Sequence, residues 1–156
     1  MIKKNVKIPA IIALSIQGAN VFVSLLIVFL QDLLKGPFNY PNALKGIKVF
    51  PPSVINSIIT LILYAIFFYV INNYSGDRRR GIGIAFFSIA VGISVITFPI
   101  TTLVQYTYAT FMGSEYLAAV SILTSNISLY TFVLSASAAP FYFIAVGRYG
   151  ISKKED

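Results

Sequence analysis

The sequence predicts an all-α fold, a polytopic membrane protein whose four hydrophobic helices form one transmembrane bundle. Three observations carry that prediction. Hydrophobic residues make up 57% of the 156-residue chain and charged residues only 11%. A soluble domain carries about 25% charge, and a small one needs that polar surface because it cannot bury everything it owns. The apolar residues also lie in long runs rather than in the alternation of a half-buried strand. Finally, each run suffices for a helix to cross a roughly 30 Å hydrocarbon core, which takes about 20 residues. In lipid, only helices and closed barrels satisfy their own backbones.

The first run, 8–30, contains no charge. Lys3, Lys4 and Lys7 precede it, as in a secretory signal, but the run exceeds a signal's apolar region and no small-x-small cleavage pattern follows. A retained helix is expected. The second run, 53–71, follows Pro51-Pro52, which block helix upstream, and Ser53 is expected to cap the first free amides. The third, 81–110, exceeds one span and contains Pro99, where the lost donor and the ring clash predict a kink. The fourth, 115–147, carries Pro140 near its end. Between these last two, Gly113 can end one helix and Ser114 can cap the next. So short a connection makes the third and fourth helices antiparallel neighbours.

The remaining segments are connections within a single domain, 1–156. Residues 31–52 form an outer loop with turn signals at Gly36-Pro37 and Asn39-Tyr40-Pro41-Asn42. Its amphipathic piece, 43–50, reads as an interfacial helical turn or as a docking surface. Residues 148–156 form a cytoplasmic tail. Its Lys153-Lys154-Glu155-Asp156 resembles a dilysine retrieval signal, and ordinary placement of basic residues on the inner side produces the same letters.

Charge orients the bundle. Four crossings put the N-terminus, the second connection and the C-terminus on one side, with Lys3, Lys4, Lys7, Arg78, Arg79, Arg80, Arg148, Lys153 and Lys154. The other side holds Lys35, Lys45 and Lys48. Nine against three predicts an integral, multi-pass protein with both termini cytoplasmic. The net charge of +7 is then topogenic and lipid-attracting, and no nucleic acid is expected because no soluble basic domain exists to hold it. Arg78-Arg79-Arg80 is the expected contact for anionic lipid. Tyr106, Tyr108, Phe111 and Tyr116 outside, and Tyr142, Phe143 and Tyr149 inside, are expected to form aromatic belts.

The chemistry available is narrow. Without Cys or His, the usual zinc, copper, haem and iron–sulfur ligand sets cannot be assembled from this chain alone, and no cofactor is expected. All five acids, Asp32, Asp77, Glu115, Glu155 and Asp156, fall in loops, in tails or at a helix boundary. General acid–base catalysis and proton relays need a titratable group at depth, so no enzyme is expected.

Neutral polar residues form stripes instead. Gln17, Asn20 and Ser24 recur with Ala10 and Ala13 on one face of the first helix. Ser94, Thr97, Thr101 and Gln105 mark the third helix, and Ser121, Thr124, Ser125, Ser128, Thr131 and Ser135 mark the fourth; Asn56 and Thr60 are a weaker version on the second. Such stripes serve helix packing through interhelical hydrogen bonds, or they line a polar path. Gln17 and Asn20 stand out, because a buried amide is costly unless paired. Their partners are expected among Ser and Thr of the third or fourth helix. Stripes on several helices exceed what one compact bundle must satisfy. They point to a non-enzymatic accessory or scaffold subunit that packs with other membrane-protein subunits. The alternative is a homo-oligomeric pore or facilitator for a small neutral solute, lined by the fourth helix.

Overall fold

The computed structural model describes residues 4–30, 33, 51–74 and 76–151. They fold into α1 (Lys4–Phe29), α2 (Pro52–Asn73), α3 (Arg79–Met112) and α4 (Ser114–Ile151), with no strand among the described residues. The loop piece 43–50 and the dilysine tail lie outside them. All four helices contain a stretch long and apolar enough to cross a membrane.

Local chemistry sets where each helix starts and stops. α1 begins at Lys4, ahead of the apolar run, and contains Pro9. Proline has no N–H, so the Asn5 carbonyl one turn back loses its intrahelical donor; Arg148 Nη1 donates to it instead, at 3.1 Å. At the start of α2, the expected Ser53 cap is not formed. Pro51 flanks the helix, with φ −62° and ψ 148°, Pro52 is its first residue, and no side chain caps it. Proline's fixed φ suits the first helical position, which leaves Ser53 one residue inside the helix. α3 ends as expected, with Gly113 at φ 103° and its N–H closing on the Ala109 carbonyl at 3.1 Å. Gly113 also flanks α4, accepting from Leu117 N–H at 3.2 Å, so Ser114 is the first helical residue and not the expected cap.

α3 has 34 residues and α4 has 38, about 51 and 57 Å of helix at 1.5 Å per residue. Both exceed a bilayer core. In α4 a stretch of membrane length and apolarity runs over Ile127–Ile151.

Contacts at the helix ends give an up-and-down arrangement. The start of α1 meets the end of α4 through Asn5 and Arg148. The end of α2 meets the end of α4, where Tyr149 Oη donates to the Tyr74 carbonyl at 3.2 Å. The start of α3 meets it too, where a Cβ on Gly83 would lie 3.2 Å from Gly150 Cα. Arg78, Arg79, Arg80 and Arg148 therefore gather at one end. α1 packs most extensively on α4, and α2 and α4 touch across the middle of the bundle.

The apolar core comes in two clusters. One joins Val6, Ala10 and Ala13 to Leu63, Tyr64, Phe67 and Ile71 and to Tyr142, Ala145 and Tyr149. The other joins Val28, Val54, Ala109, Tyr116, Val120 and Ile127. Tyr142, Tyr149 and Tyr116 are thus buried, which corrects the expectation that they stand in aromatic belts. Tyr64 stacks on Tyr142 with ring centroids 4.1 Å apart, and Phe67 meets Tyr142 and Tyr149 edge-on. Their hydroxyls stay satisfied on backbone carbonyls: Tyr142 Oη donates to Phe86 O at 3.3 Å, as Tyr149 does to Tyr74.

Candidate functional site

Between the two apolar clusters runs a polar layer. On α1, Gln17, Asn20 and Ser24 lie between Ala13 and Val28; on α2, Ser57 lies between Val54 and Leu63; on α4, Thr131 lies between Ile127 and Ala138. All five side chains are buried. An amide in such a place must find partners.

Asn20 finds them on two helices. It is fully buried, and its Nδ2 donates to Ser135 Oγ at 2.9 Å, with Ser57 Oγ at 3.3 Å and the Thr131 carbonyl at 3.4 Å sharing its two protons. Its Oδ1 accepts from Ser24 Oγ at 3.5 Å. Gln17 is held differently: Nε2 donates to the Ser57 carbonyl at 2.9 Å, while Oε1 is buried with no hydrogen-bond partner among the described residues. The expected partners on α3 or α4 hold for Asn20 alone. Gln17 turns to α2, because α1 packs between α2 and α4.

Three of the residues around Asn20 face a second environment. Ser57, Thr131 and Ser135 also line a cleft of about 540 Å³ between α2, α3 and α4. α2 adds Ser53 and Asn56 to its wall, α3 adds Ser94, Val95 and Pro99, and α4 adds Ser128, Phe132, Ala136 and Ala139. The volume lies within the 300–1,000 Å³ typical of ligand pockets. Nothing lining it carries a charge.

Hydrogen bonding in the cleft is lopsided. Ser94 Oγ donates to Ala90 O at 2.9 Å, and Thr131 Oγ1 donates to the Ile127 and Ser128 carbonyls at 3.2 and 3.0 Å. These hydroxyl protons are turned back on their own helices, which leaves oxygen lone pairs. Pro99 and Pro140 deprive the carbonyls of Val95 and Ala136 of their intrahelical donors, and both residues line the cleft. Asn56 Oδ1 and Ser53 Oγ are buried without hydrogen-bond partners among the described residues, and Ser53 as a whole is 6% exposed. Among the described residues, the cleft wall thus holds an unpaired amide oxygen and an unpaired hydroxyl, and it suits an occupant with polar groups, donors above all. No acid, lysine, arginine or histidine stands among the described lining residues.

The other expected residues scatter. Thr101 Oγ1 donates to Thr97 O at 2.9 Å along α3. Gln105 bridges to α4, with Nε2 donating to Tyr116 Oη at 3.3 Å. Thr124 lies in α4, and its side chain is not described. Arg78 and Arg80 are exposed and Arg79 is half-buried. Sequence reasoning passed over Ser57 and read Ser53 only as a helix cap, although two serines four apart mark one face of α2 as clearly as Asn56 and Thr60 do.

The helices and the uncharged polar layer define a class: an all-α protein with four membrane-length helices, the make-up of a multi-pass membrane protein. Comparison with protein-family models, characterised proteins and solved structures finds no match to this chain.

Proposed function

We propose that this protein is a non-enzymatic accessory or scaffold subunit, and that its α2–α3–α4 cleft receives a transmembrane helix of another subunit. One observation carries the reading: among the described residues, two buried polar groups of the cleft wall, Ser53 Oγ and Asn56 Oδ1, have no hydrogen-bond partner. Such groups are costly in an apolar surrounding. A partner helix carrying Ser, Thr, Asn or Gln side chains supplies donors and fills the volume. The excess of basic residues at the Arg78–Arg80 end supports cytoplasmic termini.

Purification from native membranes in mild detergent, followed by mass measurement, tests this. The expected species contains a foreign subunit in fixed ratio, and Ala136→Phe, which fills the cleft from an exposed position, releases it. A species made only of this chain overturns the reading. The hydroxyl-lined volume favours one other function, a homo-oligomeric facilitator for a small neutral solute. Solute flux in liposomes holding this chain alone would support that reading instead.

A further inference from the structure

At the arginine-rich end, a second concavity of about 290 Å³ runs between α3 and α4. Its α3 wall is Arg80, Gly83, Ile84 and Phe87, a spacing of three, four and seven that lies on one helix face. Its α4 wall is Val146, Gly147, Gly150 and Ile151. The two helices touch at Gly83, where an added Cβ would meet Gly150 Cα and the Val146 carbonyl at 3.2 and 3.3 Å. Beside that contact the groove stays open, since a Cβ at Gly147 would meet nothing within 4 Å.

We infer that this groove binds one phospholipid with an anionic headgroup, its phosphate on Arg80 and one acyl chain along the glycine-floored wall. The occupant follows from the lining. Arg80 is the sole charge, it is exposed, and it sits at the mouth in the first turn of α3. The remaining lining is aliphatic, aromatic or glycine, reaching inward to Phe87, whose ring tilts against Phe143 at 5.2 Å. A ligand must therefore be apolar along most of its length and negative at one end. The adjoining helix start favours the same sign: the Arg78 flank of α3 offers no side-chain cap to the free amides, and the helix dipole attracts anions there. A free phosphate would leave the groove empty, and a zwitterionic lipid would fill it with a phosphate whose charge its own ammonium already offsets. The site stands apart from the cleft, so its fate does not depend on the proposed function.

Native mass spectrometry of the full chain, titrated with phosphatidylglycerol and phosphatidylcholine of matched chains, tests the inference. The wild type should hold one phosphatidylglycerol about fivefold more tightly than phosphatidylcholine, the preference expected of about one basic residue at a membrane surface. Arg80→Gln should erase that preference and keep phosphatidylcholine binding, whereas Arg78→Gln should keep the preference. Gly147→Leu, which grows into the open groove, should weaken both lipids together. Should that variant fail to fold, Gly147→Ala must show the same direction more weakly. Glycerol phosphate should not displace the lipid. Equal losses from Arg78→Gln and Arg80→Gln, unchanged binding in both Gly147 variants, or displacement by glycerol phosphate each overturn it.

Discussion

Asn20 and Asn56 are the same side chain in the same polar layer, and they meet opposite fates. Asn20 is enclosed by α1, α2 and α4, and both ends of its amide have partners. Asn56 stands on the cleft side, half-buried, with its Oδ1 shielded and without a hydrogen bond among the described residues. The difference lies in what covers each face. α1 packs extensively on α4 and α2, whereas α3, the least buried of the four helices, leaves the cleft against α2 and α4. A polar residue in a membrane helix closes a bundle only where a neighbouring helix completes its hydrogen bonds. On the cleft side, the described residues leave those hydrogen bonds incomplete.

Substitutions can break that comparison. The closed side should respond most strongly. Tyr142→Ala removes a buried ring stacked on Tyr64 and edge-on to Phe67, and should cost about 3 kcal/mol in detergent unfolding. Gly83→Val drives a side chain into the backbone of Gly150 and Val146 and should cost about 2 kcal/mol, while Gly147→Ala should be nearly neutral. Asn20→Leu removes a set of interhelical hydrogen bonds and should cost about 1–2 kcal/mol. Gln17→Leu should cost less, about 0.5 kcal/mol, because one bond is lost while a buried Oε1 without a partner among the described residues is relieved. On the cleft side, Asn56→Leu should leave the unfolding of the isolated chain unchanged within about 0.5 kcal/mol. If Asn56→Leu costs as much as Asn20→Leu, the two sides are equivalent and the contrast fails.

Much of the fold was legible in the letters. Uninterrupted apolar runs located all four helices, and Gly113 beside Ser114 marked the turn between α3 and α4, since glycine readily ends a helix. Gln17 and Asn20 were visible because amides are rare within apolar runs. Their partners were not visible. A single serine such as Ser57 looks like any small packing residue, and which helix faces it depends on how the bundle closes. Ser53 looked like a cap because it follows two prolines, yet Pro52 already suits the first helical position. The tyrosines show the same limit. A Tyr near the end of an apolar run satisfies an interface belt and a hydrogen-bonded core equally well, and only packing against Phe67 decides for Tyr142 and Tyr149. The cleft itself has no sequence signature. It is a gap between helices, lined by residues of three helices far apart in the sequence.

The most direct test of the claim that another subunit occupies the cleft is site-specific photo-crosslinking in native membranes. A photoreactive residue at Ala136, on the cleft wall, is compared with one at Phe22, which is 66% exposed on α1 and lies outside the cleft. The account predicts one discrete adduct to a foreign membrane subunit from position 136 and none from position 22. Lipid adducts alone at both positions, or adducts between copies of this chain from position 136, would contradict it.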